Sequence, residues 1–100
     1  MLDKGIALVT GAFGGLGTAI VDRLVSEGAS VLATDRRAED AEIWLAGFSA
    51  KARRLITTQV LDITKEEQIQ ALRESLDARG EHVAYLVNNA GVTGAGAPWV

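Results

Sequence analysis

Apolar residues in this chain follow two alternating patterns. Short runs rich in β-branched residues occupy Ile6 to Thr10, Ser30 to Thr34, Leu55 to Leu61 and Val83 to Val87. Each is nearly continuous in apolar character, the pattern of a strand covered on both faces. Between them the spacing becomes helical. Leu16, Ile20 and Leu24 recur every fourth residue, and Gly28 follows as a stop. Ala41, Leu45 and Phe48 predict a second, weaker helix; Ile69, Leu72 and Leu76 predict a third. Thr64 and Glu67 form a capping box at the start of the third, and Gly80 ends it. Strands alternating with helices predict an α/β fold. Its parallel sheet is doubly wound, in three layers, with four strands joined by three helices through right-handed crossovers.

Composition narrows the picture. A chain of 100 residues is one domain at most. A net charge of −3 leaves no basic surface for nucleic acid. The absence of cysteine excludes disulfides and thiolate metal sites, and fits a cytoplasmic protein. The N-terminal residues lack a signal-peptide pattern, and no apolar run reaches the ~20 residues of a membrane span. The tail from Gly91 to Val100 is a Gly/Ala-rich loop with no closing element, so the last strand is expected to be an open, apolar edge. Residues 1–100 therefore read as the N-terminal part of one domain.

In an open parallel sheet, ligands sit beyond the carboxyl ends of the strands. The first strand runs into Thr10-Gly11-Ala12-Phe13-Gly14-Gly15-Leu16-Gly17, and a helix follows at once. Such a turn lets backbone N–H groups and a helix N-terminus approach a pyrophosphate. The spacing fits T-G-x-x-x-G-x-G through Gly11, Gly15 and Gly17, and equally T-G-x-x-G-x-x-G through Gly11, Gly14 and Gly17. The second strand ends at Asp35, whose carboxylate can accept from ribose hydroxyls and would repel a 2′-phosphate; this favours NAD. Arg36 and Arg37 pull the other way, toward NADP. After the third strand, Asp62 is suited either to an adenine amino group, with Ile63 over the ring, or simply to helping Thr64 start the next helix. After the fourth, Asn88-Asn89-Ala90-Gly91 offers amides that can tie strand ends together and a glycine that admits a ring.

Taken together, these residues resemble the classical short-chain dehydrogenase/reductase family, from Ile6 to Gly91. The tetrapeptide N-N-A-G also decides the glycine spacing, since extended relatives share the second pattern but normally lack it. The resemblance implies a Rossmann-type fold. It implies an NAD(P)-dependent oxidoreductase moving hydride between a nicotinamide cofactor and a small-molecule carbonyl or alcohol. It implies cofactor contacts at Gly11, Phe13, Gly15, Leu16, Gly17, Asp35, Asp62, Ile63, Asn89, Ala90 and Gly91, with Arg36 alongside. It also implies a homo-oligomer, dimer or tetramer, once full length, with no membrane or nucleic-acid partner.

The family's catalytic Ser and Tyr-x-x-x-Lys are not in these residues, so no catalytic or metal-binding residue is assigned. Tyr85 has Asn89 four residues on rather than Lys, and reads as core. Ser49 and Ser75 fall on helices or their ends, His82 reads as exposed, and Trp44 as a half-buried helix residue without a stacking partner. A non-catalytic nucleotide-binding module is the alternative function. A methyltransferase of similar architecture is disfavoured, because Val9-Thr10 stands where an acidic residue is usual.

Overall fold

The computed structural model describes residues 5–89. Four strands form one sheet: β1 (Ile6–Val9), β2 (Val31–Asp35), β3 (Ile56–Val60) and β4 (Val83–Val87), in the order β3-β2-β1-β4. All neighbours run parallel, with Val9 beside Ala33 and Val87. Every strand thus ends on the same rim.

The central strands are buried because both faces are covered. Ala7 and Val9 point to one side, where they meet Val21 and Val25 of α1 (Gly15–Ser26) together with Val31, Ala33, Phe48 and Ile56. Leu8 and Leu32 point to the other, where Leu72 and Leu76 of α4 (Glu66–Ala78) and Leu61 close over them. The alternation of Ala7, Leu8 and Val9 between two cores is the period-two geometry of a strand, and it makes the three layers expected from the sequence.

The outer strands depart from expectation. In β3 only Ile56 is buried, and Val60 is 47% exposed. In β4 Val83, Tyr85 and Leu86 are about two-fifths exposed, so Tyr85 is a half-exposed edge residue rather than core. The reason is position: each is an edge strand of this sheet, with a neighbour on one side only. Among the described residues, β4 pairs with β1 alone.

The face of α1 is also displaced by one residue from the sequence reading. Gly17, Val21 and Val25 are buried, Ile20 and Leu24 flank them, and Leu16 is 59% exposed. Small residues let the helix axis come close to the sheet, and the longer side chains spread to either side. The single helix expected between β2 and β3 is instead a 3₁₀ turn (Ala38–Asp40) followed by two short helices, α2 (Ala41–Ala46) and α3 (Ala50–Arg53). Gly47 interrupts them, and Ser49 starts α3 by accepting from the Ala52 N–H at 3.1 Å.

The glycine stops hold. Gly28 and Gly80 take φ of 88° and 71°, and the following N–H of Ala29 or Glu81 closes on Leu24 or Leu76 five residues back. This is a Schellman ending, for which the left-handed residue is normally glycine. The Thr64–Glu67 capping box does not form. Lys65 stands at the cap of α4 without a side-chain bond, because the Thr64 hydroxyl donates to Asp62 instead.

Candidate functional site

Thr10 links the first and last strands to the glycine loop. Its side chain is fully buried at the end of β1. The hydroxyl accepts from the Asn89 N–H at 3.0 Å and lies 3.3 Å from Asn88 Oδ1 and 3.4 Å from the Val87 carbonyl. Asn89 Nδ2 donates to the Gly11 carbonyl at 3.0 Å. On the other flank, the Ala12 N–H donates to the Thr34 carbonyl at 3.0 Å, and the Thr34 hydroxyl donates to Val9 at 3.0 Å. The loop after β1 is therefore tied to the ends of both neighbouring strands. The glycine motif includes Thr10 but assigns it no role; its signal is a hydroxyl placed between a buried strand and the first glycine.

The loop's glycines divide by cause. Gly11 has φ of 61°, a conformation that favours glycine. Gly17 presses on the loop: a β-carbon there would lie 2.3 Å from the Gly11 carbonyl oxygen. Gly14 and Gly15 have no such reason. A β-carbon on Gly14 would find its nearest neighbour at 3.8 Å, and one on Gly15 would meet nothing within 4 Å. Both sit at the start of α1, where Gly14 supplies no side-chain cap and the first turn holds no acidic residue. First-turn N–H groups have no intrahelical acceptor and carry the positive end of the helix dipole.

Asp35 ends β2 with its side chain only 6% exposed. Its Oδ2 accepts from the Phe13 N–H at 3.1 Å, which fixes the carboxylate to the glycine loop. Its Oδ1 accepts from the N–H and Nε of Arg37, both at 3.1 Å, and Arg37 Nη2 reaches Oδ2 at 3.4 Å. Burial raises the Asp35 pKa and is the largest single influence. The Arg37 side chain, the two backbone N–H donors and the guanidinium charge together outweigh it, and the carboxyl is held below its ordinary value. The arginine at this position is thus Arg37. Arg36 is exposed, and its charge is the smallest of the influences on the Asp62 pKa.

Asp62 bonds Thr64, but in a turn ahead of α4 and not as a helix start, since Lys65 holds the cap position. Asp62 Oδ1 accepts from the Thr64 hydroxyl at 2.6 Å and the Thr64 N–H at 3.0 Å, which is an Asx turn. These bonds lower its pKa. Ile63 is half-buried against the Leu8–Leu72 cluster. Asn88 Nδ2 is buried and has no hydrogen-bond partner among the described residues. Ala90 and Gly91 lie outside the described residues.

Trp44 does have stacking partners. Its ring lies 4.7 Å from that of Phe13 and 4.9 Å from that of Phe48, and its indole N–H donates to the Thr18 hydroxyl at 2.8 Å. Phe13 is 31 residues away on another element, which the sequence hides, whereas Phe48 is the i+4 neighbour that helical spacing offers. Trp44 thus braces the glycine loop from behind, through Phe13. Trp44→Ala is expected to cost about 3 kcal/mol, as truncation of a packed tryptophan does. Chemical denaturation measures this, and a loss below about 1 kcal/mol would show that the stack carries little.

Among the described residues, no helix is long and apolar enough to cross a membrane, and no group of three His, Cys, Asp or Glu residues could hold a metal.

Comparison with known proteins adds an independent line. The family model for short chain dehydrogenases matches residues 5–98. The chain is 40% identical over 88 residues to a 3-oxoacyl-[acyl-carrier-protein] reductase of Haemophilus influenzae, covering 88% of this chain and 35% of that protein. Among solved structures, a 3-ketoacyl-(acyl-carrier-protein) reductase from Brucella melitensis complexed with NADH superposes with a TM-score of 0.70 at 32% identity, covering 90% of this chain and 35% of the other. A variant of ElxO with NADPH bound superposes with a TM-score of 0.80 at 28% identity, covering 94% and 38%. The chain thus spans about a third of the length of the relatives it matches.

Proposed function

This chain belongs to the short-chain dehydrogenase family, and on that premise we propose that it is the dinucleotide-binding part of an oxidoreductase acting on a carbonyl or alcohol. Bound NAD(P) would supply the hydride acceptor or donor. The residues present fit such a group. The N–H groups at the start of α1 would take the pyrophosphate, with Gly11 and Phe13 shaping the turn and Gly15, Leu16 and Gly17 at the contact. Asp35 would accept from the adenosine ribose, and its charge disfavours a 2′-phosphate, so NAD is the preferred cofactor. Asp62 and Ile63 would flank the adenine. Asn89, followed by Ala90 and Gly91, would stand at the nicotinamide ribose, and Asn88 Nδ2, without a partner among the described residues, offers a donor on the same rim. The working form is proposed to be a cytoplasmic homo-oligomer, dimer or tetramer.

The observation that carries this reading is the open ground at Gly14 and Gly15. Two glycines that the fold does not need stand at an uncapped helix start, on the rim that also holds Asp35 and Asn89. Gly15→Val tests it in the intact protein. Because the added atoms meet nothing within 4 Å at their root, the melting temperature should hardly change. Dinucleotide affinity should fall by about tenfold or more, the loss of roughly 1.4 kcal/mol of binding. Unchanged affinity would remove the pyrophosphate from this loop.

A further inference from the structure

Building on that reading, we propose that Arg37 is a resident competitor for the ribose-binding oxygens of Asp35, and that this competition sets how strongly the protein prefers NAD over NADP. A carboxylate offers about four acceptor positions. At Asp35 the Arg37 N–H and Nε take two on Oδ1, and the Phe13 N–H and Arg37 Nη2 take two on Oδ2. A ribose diol needs positions that the guanidinium holds.

The clasp is built to open. The Asp35 side chain is 6% exposed, whereas that of Arg37 is 47% exposed and reaches in from solvent. A second acceptor is at hand: Arg37 Nε lies 3.9 Å from Asp40 Oδ2, on the 3₁₀ turn that starts just beyond Arg37. Moving toward Asp40 exchanges one partner for another. The carboxylate stays in place, because the Phe13 and Arg37 N–H groups hold it independently of the guanidinium.

Two consequences follow. NAD must displace the fork before its ribose can bond, so its apparent affinity is reduced by the fraction of molecules with the clasp shut. NADP meets a different balance: the displaced guanidinium stands beside the 2′-phosphate and matches it as a bidentate donor. Arg37 therefore weakens NAD, supports NADP and narrows the preference that a bare Asp35 would impose. Arg36 is exposed and makes none of the bonds of the clasp.

The test is to titrate NAD and NADP separately into the intact protein and its Arg37→Ala and Arg37→Lys variants at fixed ionic strength. With alanine, NAD should bind several-fold tighter and NADP about tenfold weaker, the loss of one charge-assisted contact. With lysine, which keeps the charge but not the fork, NADP should stay within a few-fold of the starting protein. Raising the salt should shrink the difference between Arg37 and alanine for NADP, since the contact is partly exposed. Equal change in both affinities would mark Arg37 as structural, and weaker NAD binding in the alanine variant would make it a helper; either overturns the proposal. If the unmodified protein bound neither nucleotide, the dinucleotide reading itself would fail. If it bound both and the ratio ignored Arg37, only the competition would fail.

Discussion

Gly17→Ala is expected to destabilise the protein by on the order of 3 kcal/mol, the upper end for an overpacked position. The added β-carbon would stand 2.3 Å from the Gly11 carbonyl oxygen, 2.8 Å from Ala12 Cα and 2.9 Å from the Ala12 carbonyl carbon. All three are backbone atoms, so no side chain can turn aside. Relief requires α1 to lift off the loop, and that pulls Val21 and Val25 from their places beside Val9 and Ala33. A domain with a total margin of about 5–15 kcal/mol would feel such a loss plainly. Urea unfolding measures it, with Gly15→Ala as the matched control two residues earlier, where the same methyl meets open space. Equal midpoints for the two variants would show that α1 can shift without penalty.

The second large effect concerns Asp35. Asp35→Ala should weaken NAD more than NADP and move the affinity ratio toward NADP by about 10–100-fold, as expected when a carboxylate near a phosphate is removed and its arginine released. Equal weakening of both nucleotides would count against the ribose role. The same residue links stability to pH. Its folded pKa lies below the ordinary 3.8, so it contributes stability that is fully present above that value and is lost as pH falls through the folded pKa. The margin of the unmodified protein over Asp35→Asn should thus hold from neutral pH down to about 4 and shrink below it. A margin that grew on acidification would mean the carboxylate is destabilising. Because Asp35 and Arg37 share three bonds, their variants should not be additive.

The elements that the sequence displayed best are those whose signal is local. The central strands are short β-branched runs, and the helix stops at Gly28 and Gly80 rest on a backbone conformation that glycine favours. The convergence of Gly11–Gly17, Asp35 and Asn89 on one rim followed from the alternation of strands and helices, and the parallel sheet delivers it. Readings that depended on partners fared differently. Leu16, Ile20 and Leu24 outweigh Gly17, Val21 and Val25 in hydrophobicity, yet the tight approach of helix to sheet selects the smaller set. Thr64 had a plausible cap partner in Glu67, but Asp62 is nearer and charged, and it captures the hydroxyl. Between Arg36 and Arg37 only the turn after β2 decides, because it sends the first outward and folds the second back on Asp35. Trp44 and Thr18 met across 26 residues, a separation over which no periodicity reports.

The bond from the Asn89 N–H to Thr10 spans 79 residues of chain, and its neighbour from Asn89 to Gly11 spans 78. Contacts that distant close late, since the entropy of joining the ends must be met before they form. A folding intermediate holding only the first three strands would possess the glycine loop as sequence but not as a shaped cradle. The rim acquires its final form when the fourth strand docks beside the first. Any ligand captured there would act as a buckle between the first strand and the fourth, slowing their separation.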